Sequence, residues 1–239
     1  LVAALIPVAF IAIVLLVIHE AGTLLEGIAG ILVLAFMLGP RNLHAEIEAY
    51  IAAVNEDNEE RAQQIADKLL HGNAPKKHEE RCGAVIRAAL IQANDRVFAV
   101  VFWFVLLGPL GAVFFRGAEL LRHKLAREFG EDSEFADASA RLHGVMAWLP
   151  ARLLALSYAF AGSFEEALAD WRAYYEDCAG RFFQISNDVL GCAGSGAVRL
   201  AMSTKNTEME FLHATDNLIF RSEVLWLSMI GLLTLVGWV

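Results

Sequence analysis

The stretch that decides the fold is residues 97–115, VFAVVFWFVLLGPLGAVFF, which are nineteen residues without a charge. About 20 apolar residues in a helix cross the roughly 30 Å hydrocarbon core of a bilayer, so the stretch predicts a membrane-embedded helix. Gly108 and Pro109 interrupt it, because proline removes a backbone hydrogen bond and glycine loosens the helix. Two interpretations stay open on the sequence: one span, and two half-helices that enter and leave the membrane on one side.

Four further apolar stretches flank this one. They cover residues 1–18, 24–38, 145–164 and 224–239. Only 20% of the chain is charged and 57% is hydrophobic, a balance typical of bilayer proteins. The sequence therefore predicts an all-α, polytopic integral membrane protein. Because the chain begins at Leu1, inside an apolar stretch and without methionine, we expect a further N-terminal piece to precede it.

Lysine and arginine predict the orientation in the membrane. The turn between His19 and Glu26 has no basic residue, whereas residues 41–96 contain eight. Basic loops stay on the cytoplasmic side, so we expect a bacterial inner-membrane protein with the turn in the periplasm and residues 41–96 in the cytoplasm.

The whole chain, residues 1–239, is predicted to form one membrane domain with five parts. They are a two-span hairpin at 1–40, cytoplasmic amphipathic helices at 41–96, a membrane-embedded core at 97–164, an amphipathic helix and a flexible connection at 165–221, and a C-terminal membrane helix at 222–239. The glycines between residues 191 and 207 are the reason to expect the flexible connection.

Several functional classes are excluded by composition. A formal charge of −9 argues against a nucleic-acid partner, because phosphate binding needs a concentrated basic face. The three cysteines form no CxxC pair, and the His and Glu neighbours have no metal-ligand spacing. We therefore predict no metal site, no cofactor and no nucleic acid as partner.

Arginines in and beside the apolar stretches are the candidates for a binding site. Arg152 follows Pro150 inside an apolar stretch, where a charge is costly and therefore usually functional. Guanidinium groups bind phosphates and carboxylates through paired hydrogen bonds, which predicts an anion pocket. Its predicted residues are Arg152, Arg116, Arg141, Asp95 and Asn94, with Trp103 and Trp148 stacking on the ligand. The alternatives are a structural Arg152–Asp95 ion pair and tryptophans that only pack.

A family resemblance rests on the same region. The motifs that carry it are Phe102-Trp103-Phe104, Gly108-Pro109-Leu110-Gly111, Arg116, Ala140-Arg141-Leu142 and Trp148-Leu149-Pro150-Ala151-Arg152-Leu153. Together they resemble the core of the AmpE and CbiB/CobD membrane proteins, and the close match covers about a third of the chain. The CbiB/CobD synthases join an aminopropanol unit to a corrinoid carboxylate, which implies ATP and a divalent metal held by clustered acids.

Most acids that the synthase resemblance implies are missing. Residues 91–95 read IQAND and keep only Asp95, residues 119–122 read ELLR with Arg122 in the place of an acid, and His143-Gly144 replaces an Asp pair. The resemblance to the AmpE branch therefore predicts a regulatory or sensory protein, linked to β-lactamase induction and cell-wall recycling, without synthase activity. An enzyme of the adenosylcobinamide-phosphate synthase type is the first alternative, and an accessory subunit of a membrane complex is the second.

Partners follow from these predictions. We expect the lipid bilayer, an anionic small molecule such as a nucleotide, a lipid headgroup or a muropeptide, and a membrane-protein partner or a second copy of the chain.

Overall fold

The computed structural model describes residues 23–39, 42–129, 133–165, 185–199 and 208–236. Within these ranges it contains α-helices, one π-helical segment and no strand. The elements are α1 (Thr23–Leu38), α2 (Leu43–Asn55), α3 (Glu59–Leu70), α4 (His78–Ala93), the π segment (Asn94–Phe98), α5 (Ala99–Phe129), α6 (Glu134–Ala161), α7 (Ile185–Arg199) and α8 (Glu208–Leu235).

The predicted fold class, an all-α multi-pass membrane protein, is confirmed. Four helical stretches are long and apolar enough to cross a bilayer, namely Gly27–Asn55, His78–Leu125, Glu134–Ala161 and Glu208–Leu235. Their apolar side chains are largely exposed, as with Phe36 at 80% and Leu235 at 85%, which suits contact with lipid. The predicted first span at residues 1–18 lies outside the described residues.

The described residues fall into two compact units. The first contains the described parts of Leu1–Pro40 and Asp95–Pro150, and the second contains those of Arg41–Asn94 and Ala151–Val239.

In the first unit, α1 packs against α5, and α5 folds back on itself at Gly108. Gly108 has φ 69° and ψ −162°, a conformation that only glycine adopts readily. The two arms of α5 consequently share one core, in which Ala99 and Val100 lie with Ala112 and Val113. The structure therefore has two helical arms that meet at Gly108 instead of one straight helix.

The second unit is organised by α4, which contacts α2, α3, α7 and α8. Side chains of Asn42 and Asn58 cap the N-termini of α2 and α3 by accepting bonds from His44 and Arg61 amides. At the start of α4 the guanidinium of Arg81, 2% exposed, bonds to Glu59, Gln63 and the Tyr50 hydroxyl. This network ties α4 to α2 and α3.

The flexible connection predicted at residues 191–207 is wrong where the structure describes it, because residues up to Arg199 are helical. The glycines serve close packing instead. A Cβ on Gly194 would meet the Leu90 side chain at 2.6 Å, and one on Gly191 would meet Arg87 at 3.2 Å. These small residues let α7 approach α4 closely. In the sequence alone, the same glycines are typical of a linker.

The C-terminal membrane helix begins earlier than predicted, at Glu208 instead of 222. The first half of this helix is polar, so its sequence does not predict a membrane-embedded segment. Only the apolar second half was therefore predicted as the membrane helix. Most of the predicted amphipathic helix, residues 166–184, lies outside the described ranges.

Candidate functional site

Five charged or titratable side chains meet in the first unit. They form what we call the ionic cluster: Asp95, Arg116, Glu119, Arg122 and His143. Asp95, Glu119 and His143 are 6%, 8% and 2% exposed, so the cluster is largely removed from solvent. Buried charges are costly unless paired, and such groups concentrate at functional sites.

The helices place these side chains by spacing and by one irregularity. Arg116, Glu119 and Arg122 recur every three residues and share one face of the second arm of α5. Asp95 lies in the π segment that precedes the first arm. An extra residue in a helical turn shifts the following side chains, and π segments are frequent at functional sites for that reason. His143 comes from α6.

The distances define three pairs of oppositely charged or titratable side chains. Arg116 Nη1 lies 2.6 Å from Glu119 Oε2, a charge-assisted hydrogen bond. Arg122 Nη2 lies 3.7 Å from Asp95 Oδ2, and His143 Nε2 lies 3.5 Å from Asp95 Oδ1. Glu119 is also within electrostatic range of Asp95, Arg122 and His143. Asp95 is thus held between a guanidinium and an imidazole.

Two buried nitrogens of the ionic cluster make no hydrogen bond. They are Nε of Arg122 and Nε2 of His143, the latter at 3.5 Å from Asp95 but outside hydrogen-bond geometry. A buried polar atom without a hydrogen-bond partner costs about 1–3 kcal/mol. The arrangement therefore has unused hydrogen-bonding capacity, which is the property of a site that takes an anionic or polar ligand.

The structure brings together only part of the predicted anion pocket. Asp95 and Arg116 belong to the ionic cluster. Arg141 does not: its side chain is 71% exposed and pairs with Asp137 one turn away, so it lies on an exposed face of α6. Trp103 donates its indole N–H to the Met146 carbonyl at 3.1 Å and packs against the core of the first unit. These contacts agree with the alternative in which this tryptophan only packs.

Three further predicted residues are buried or half-buried. Arg152 and Asn94 belong to the second unit, where Asn94 is buried and Arg152 half-buried. Trp148 is a half-buried residue of α6 in the first unit.

Sequence reasoning missed three members of the ionic cluster. Glu119 was noted only as the first residue of the ELLR stretch, and Arg122 and His143 were interpreted as residues that stand in the place of synthase acids. The spacing of Arg116, Glu119 and Arg122 on one helical face was the available signal. The contact of Asp95 with α6 was not predictable, since it depends on the reversal at Gly108.

The ionic cluster does not fit a divalent cation. Each of its two carboxylates lies against a guanidinium, and among the described residues no group of three His, Cys, Asp or Glu side chains could hold a metal. A metal ion would meet two positive charges beside its ligands, so these residues do not form a metal site.

Comparison with known proteins identifies the family. The family model described as "CobD/Cbib protein" matches residues 1–212. Cobalamin biosynthesis protein CobD of Chromobacterium violaceum is 29% identical over 181 residues, covering 74% of this chain and 58% of the relative. CobD of Stutzerimonas stutzeri is 31% identical over 155 residues, covering 63% and 51%. The probable CobD of Thermococcus kodakarensis is 27% identical over 118 residues, covering 49% and 39%. No solved structure matches the chain.

The chain spans little more than half the length of these first two relatives. The predicted AmpE-like regulatory function is wrong, because the matching family and relatives are cobalamin biosynthesis proteins. The loss of acids had been taken as a mark of the AmpE branch, yet it occurs on a chain whose overall similarity is to CobD. This chain is a member of the CobD/CbiB family.

Proposed function

We propose that this protein works in cobalamin biosynthesis as an enzyme of the adenosylcobinamide-phosphate synthase type, and that the ionic cluster is part of its active site. The family match supports the pathway. The observation that carries the site is the buried Asp95, which lies 3.7 Å from Arg122 and 3.5 Å from His143. Nε of Arg122 and Nε2 of His143 have no hydrogen-bond partner among the described residues.

Amide formation sets requirements that these residues meet. The corrinoid carboxylate is first activated by ATP, which transfers a phosphoryl group to a carboxylate oxygen and leaves as ADP. The amine then forms a bond to the acyl carbon, phosphate departs from that carbon, and a proton must leave the nitrogen. His143 accepts that proton, while Asp95, 3.5 Å from its Nε2, orients the imidazole. Arg122, whose Nε is unused, binds the carboxylate or phosphate group of a substrate. Arg116 neutralises Glu119 and keeps the second carboxylate from repelling that anion.

We also propose the cellular setting. Eight Lys and Arg residues between positions 41 and 96 support a cytoplasmic location of that segment in a bacterial inner membrane. The test is a single cysteine at the exposed Glu60, in a chain without its native cysteines. An impermeant maleimide should label it only after the cells are permeabilised, whereas labelling in intact cells would reverse the orientation.

Complementation tests the proposed activity. The gene is expressed in a strain that lacks its cobalamin synthase, and conversion of the corrinoid carboxylate to cobinamide is measured. We expect the wild-type protein to restore conversion and Arg122→Gln and His143→Gln to lower it at least about tenfold, equivalent to about 1.4 kcal/mol of transition-state stabilisation. Arg141→Gln is the matched control, because this arginine lies on the exposed face of α6. A normally inserted wild-type protein that restores no conversion contradicts the proposal.

A further inference from the structure

We infer that the segment from Asp95 to Lys124 is a re-entrant hairpin, which enters the bilayer from the side on which α1 ends, reaches about halfway and returns to the same side. The ionic cluster then lies at the base of the hairpin and is reached from that side alone. The inference goes beyond the proposed function and does not depend on which reaction the protein catalyses.

The first evidence is the Asp95–Arg122 ion pair. These residues are about 27 positions apart, which in a straight helix would separate their Cα atoms by about 40 Å. Their side chains are nevertheless 3.7 Å apart. The chain between them must therefore reverse direction, and Ala99 can share a core with Ala112 for the same reason.

The second evidence is the geometry of the turn. Gly108 has a positive φ of 69°, and Pro109 begins the returning arm. Gly111 follows at a point of close approach, since a Cβ there would overlap the carbonyl oxygen of Trp103 on the outgoing arm. In a continuous helix residues 103 and 111 would be about 12 Å apart along the axis.

The third evidence is the depth of the hairpin against α1. A Cβ on Gly30, in the middle of α1, would lie 3.6 Å from Pro109 at the tip. A Cβ on Gly39, just beyond the end of α1, would lie 3.7 Å from Arg116 near the base. Each arm has about 13 residues, or roughly 20 Å, which is shorter than the roughly 30 Å hydrocarbon core. The tip of the hairpin therefore lies at about the same membrane depth as the middle of α1.

The fourth evidence is the polarity of the two ends. Leu106 and Leu107 beside the turn are 58% and 59% exposed, as expected of side chains that face acyl chains. No charged residue lies at positions 97–115, which include the turn. Asp95 precedes the outgoing arm, Arg116 and Glu119 lie on the returning arm, and Arg122 is at its base. Non-helical backbone at membrane depth is tolerated where protein covers it, and here α1 packs on the turn.

Cysteine accessibility tests the hairpin in the full-length protein. Single cysteines replace Glu79, before the outgoing arm, Lys124, after the returning arm, and Leu107, at the tip. We expect an impermeant maleimide to label Glu79→Cys and Lys124→Cys from the same side of sealed membrane vesicles, and Leu107→Cys from neither side. Glu60→Cys serves as the reference for the side on which α1 ends.

Labelling of Glu79→Cys and Lys124→Cys from opposite sides would show that the segment spans the membrane and would overturn the inference. Rapid labelling of Leu107→Cys from the far side would also overturn it. Each variant carries its cysteine in a chain without the native cysteines, and accumulation in the membrane fraction at the wild-type level with an unchanged thermal unfolding temperature in detergent shows that the labelled protein is correctly folded. Because the readout is accessibility and not product, a failure here is distinct from a failure of the proposed enzymatic function.

Discussion

Replacing Gly108 by alanine should destabilise the protein, although the added methyl group would touch nothing. No atom lies within 4 Å of a Cβ placed on Gly108, so a steric clash is absent. The cost arises from the backbone, whose φ of 69° and ψ of −162° are strained for any L-residue. Such conformations cost on the order of 1–3 kcal/mol.

Gly83→Ala is the matched control. Gly83 is an exposed residue within α4, and a Cβ there also meets nothing within 4 Å. In a helix with ordinary dihedral angles, alanine stabilises by about 0.5–1 kcal/mol relative to glycine. The two substitutions add the same atoms in open space, and their effects should have opposite signs.

Thermal unfolding in detergent measures the difference. The expected gap between the two variants is about 1.5–4 kcal/mol, or roughly 3–16 °C in Tm at about 2–4 °C per kcal/mol for a chain of this size. If Gly108→Ala proves as stable as Gly83→Ala, the reversal at Gly108 is wrong, and with it the contact between Asp95 and Arg122.

Three further substitutions test the surrounding structure. Arg81→Leu should lower the free energy of unfolding by about 1–3 kcal/mol, because it leaves the buried Tyr50 hydroxyl without its hydrogen-bond partner. Arg61→Leu, at an exposed pair, should change it by less than about 1 kcal/mol, and denaturant unfolding measures both. His44→Gln should cost about 1.5–3 kcal/mol by the same assay, since the imidazole lies 2.6 Å from Asp216 and 3.3 Å from a second carboxylate on α8. An unchanged stability of Arg81→Leu or His44→Gln would contradict the contacts described for the second unit.

The membrane character of the chain could be predicted from the sequence because it depends on local composition. The apolar stretches at 24–38 and 145–164 correspond to α1 and to the second half of α6. The extent of α8 could not be predicted, because its first half is polar and is fixed by tertiary contacts such as His78 with Glu208 at 3.0 Å. Gly191 and Gly194 led to the wrong prediction of a flexible connection for a related reason. Both flexible linkers and closely packed helices are rich in glycine, so the composition does not distinguish them.

The candidate site was only half predictable. Asp95 and Arg116 stood out because charges beside apolar stretches are unusual. His143 did not, since its importance comes from its contact with Asp95 and not from its neighbours in sequence. Arg141 stood out equally well, yet it lies on an exposed face. Which face of a helix is buried depends on the helix that packs against it. Where a chain reversal places that partner, the sequence alone does not predict the buried face.

The most direct test of the account is the formation of the amide product in isolated membranes. Membranes that contain the protein are supplied with the corrinoid carboxylate, the aminopropanol substrate, ATP and magnesium, and the product is quantified by mass spectrometry. The account predicts product from the wild type and Arg141→Gln, and at least about tenfold less from Arg122→Gln and His143→Gln at equal protein levels. No product from the wild type, or undiminished product from both cluster variants, would contradict the assignment of the ionic cluster as the active site.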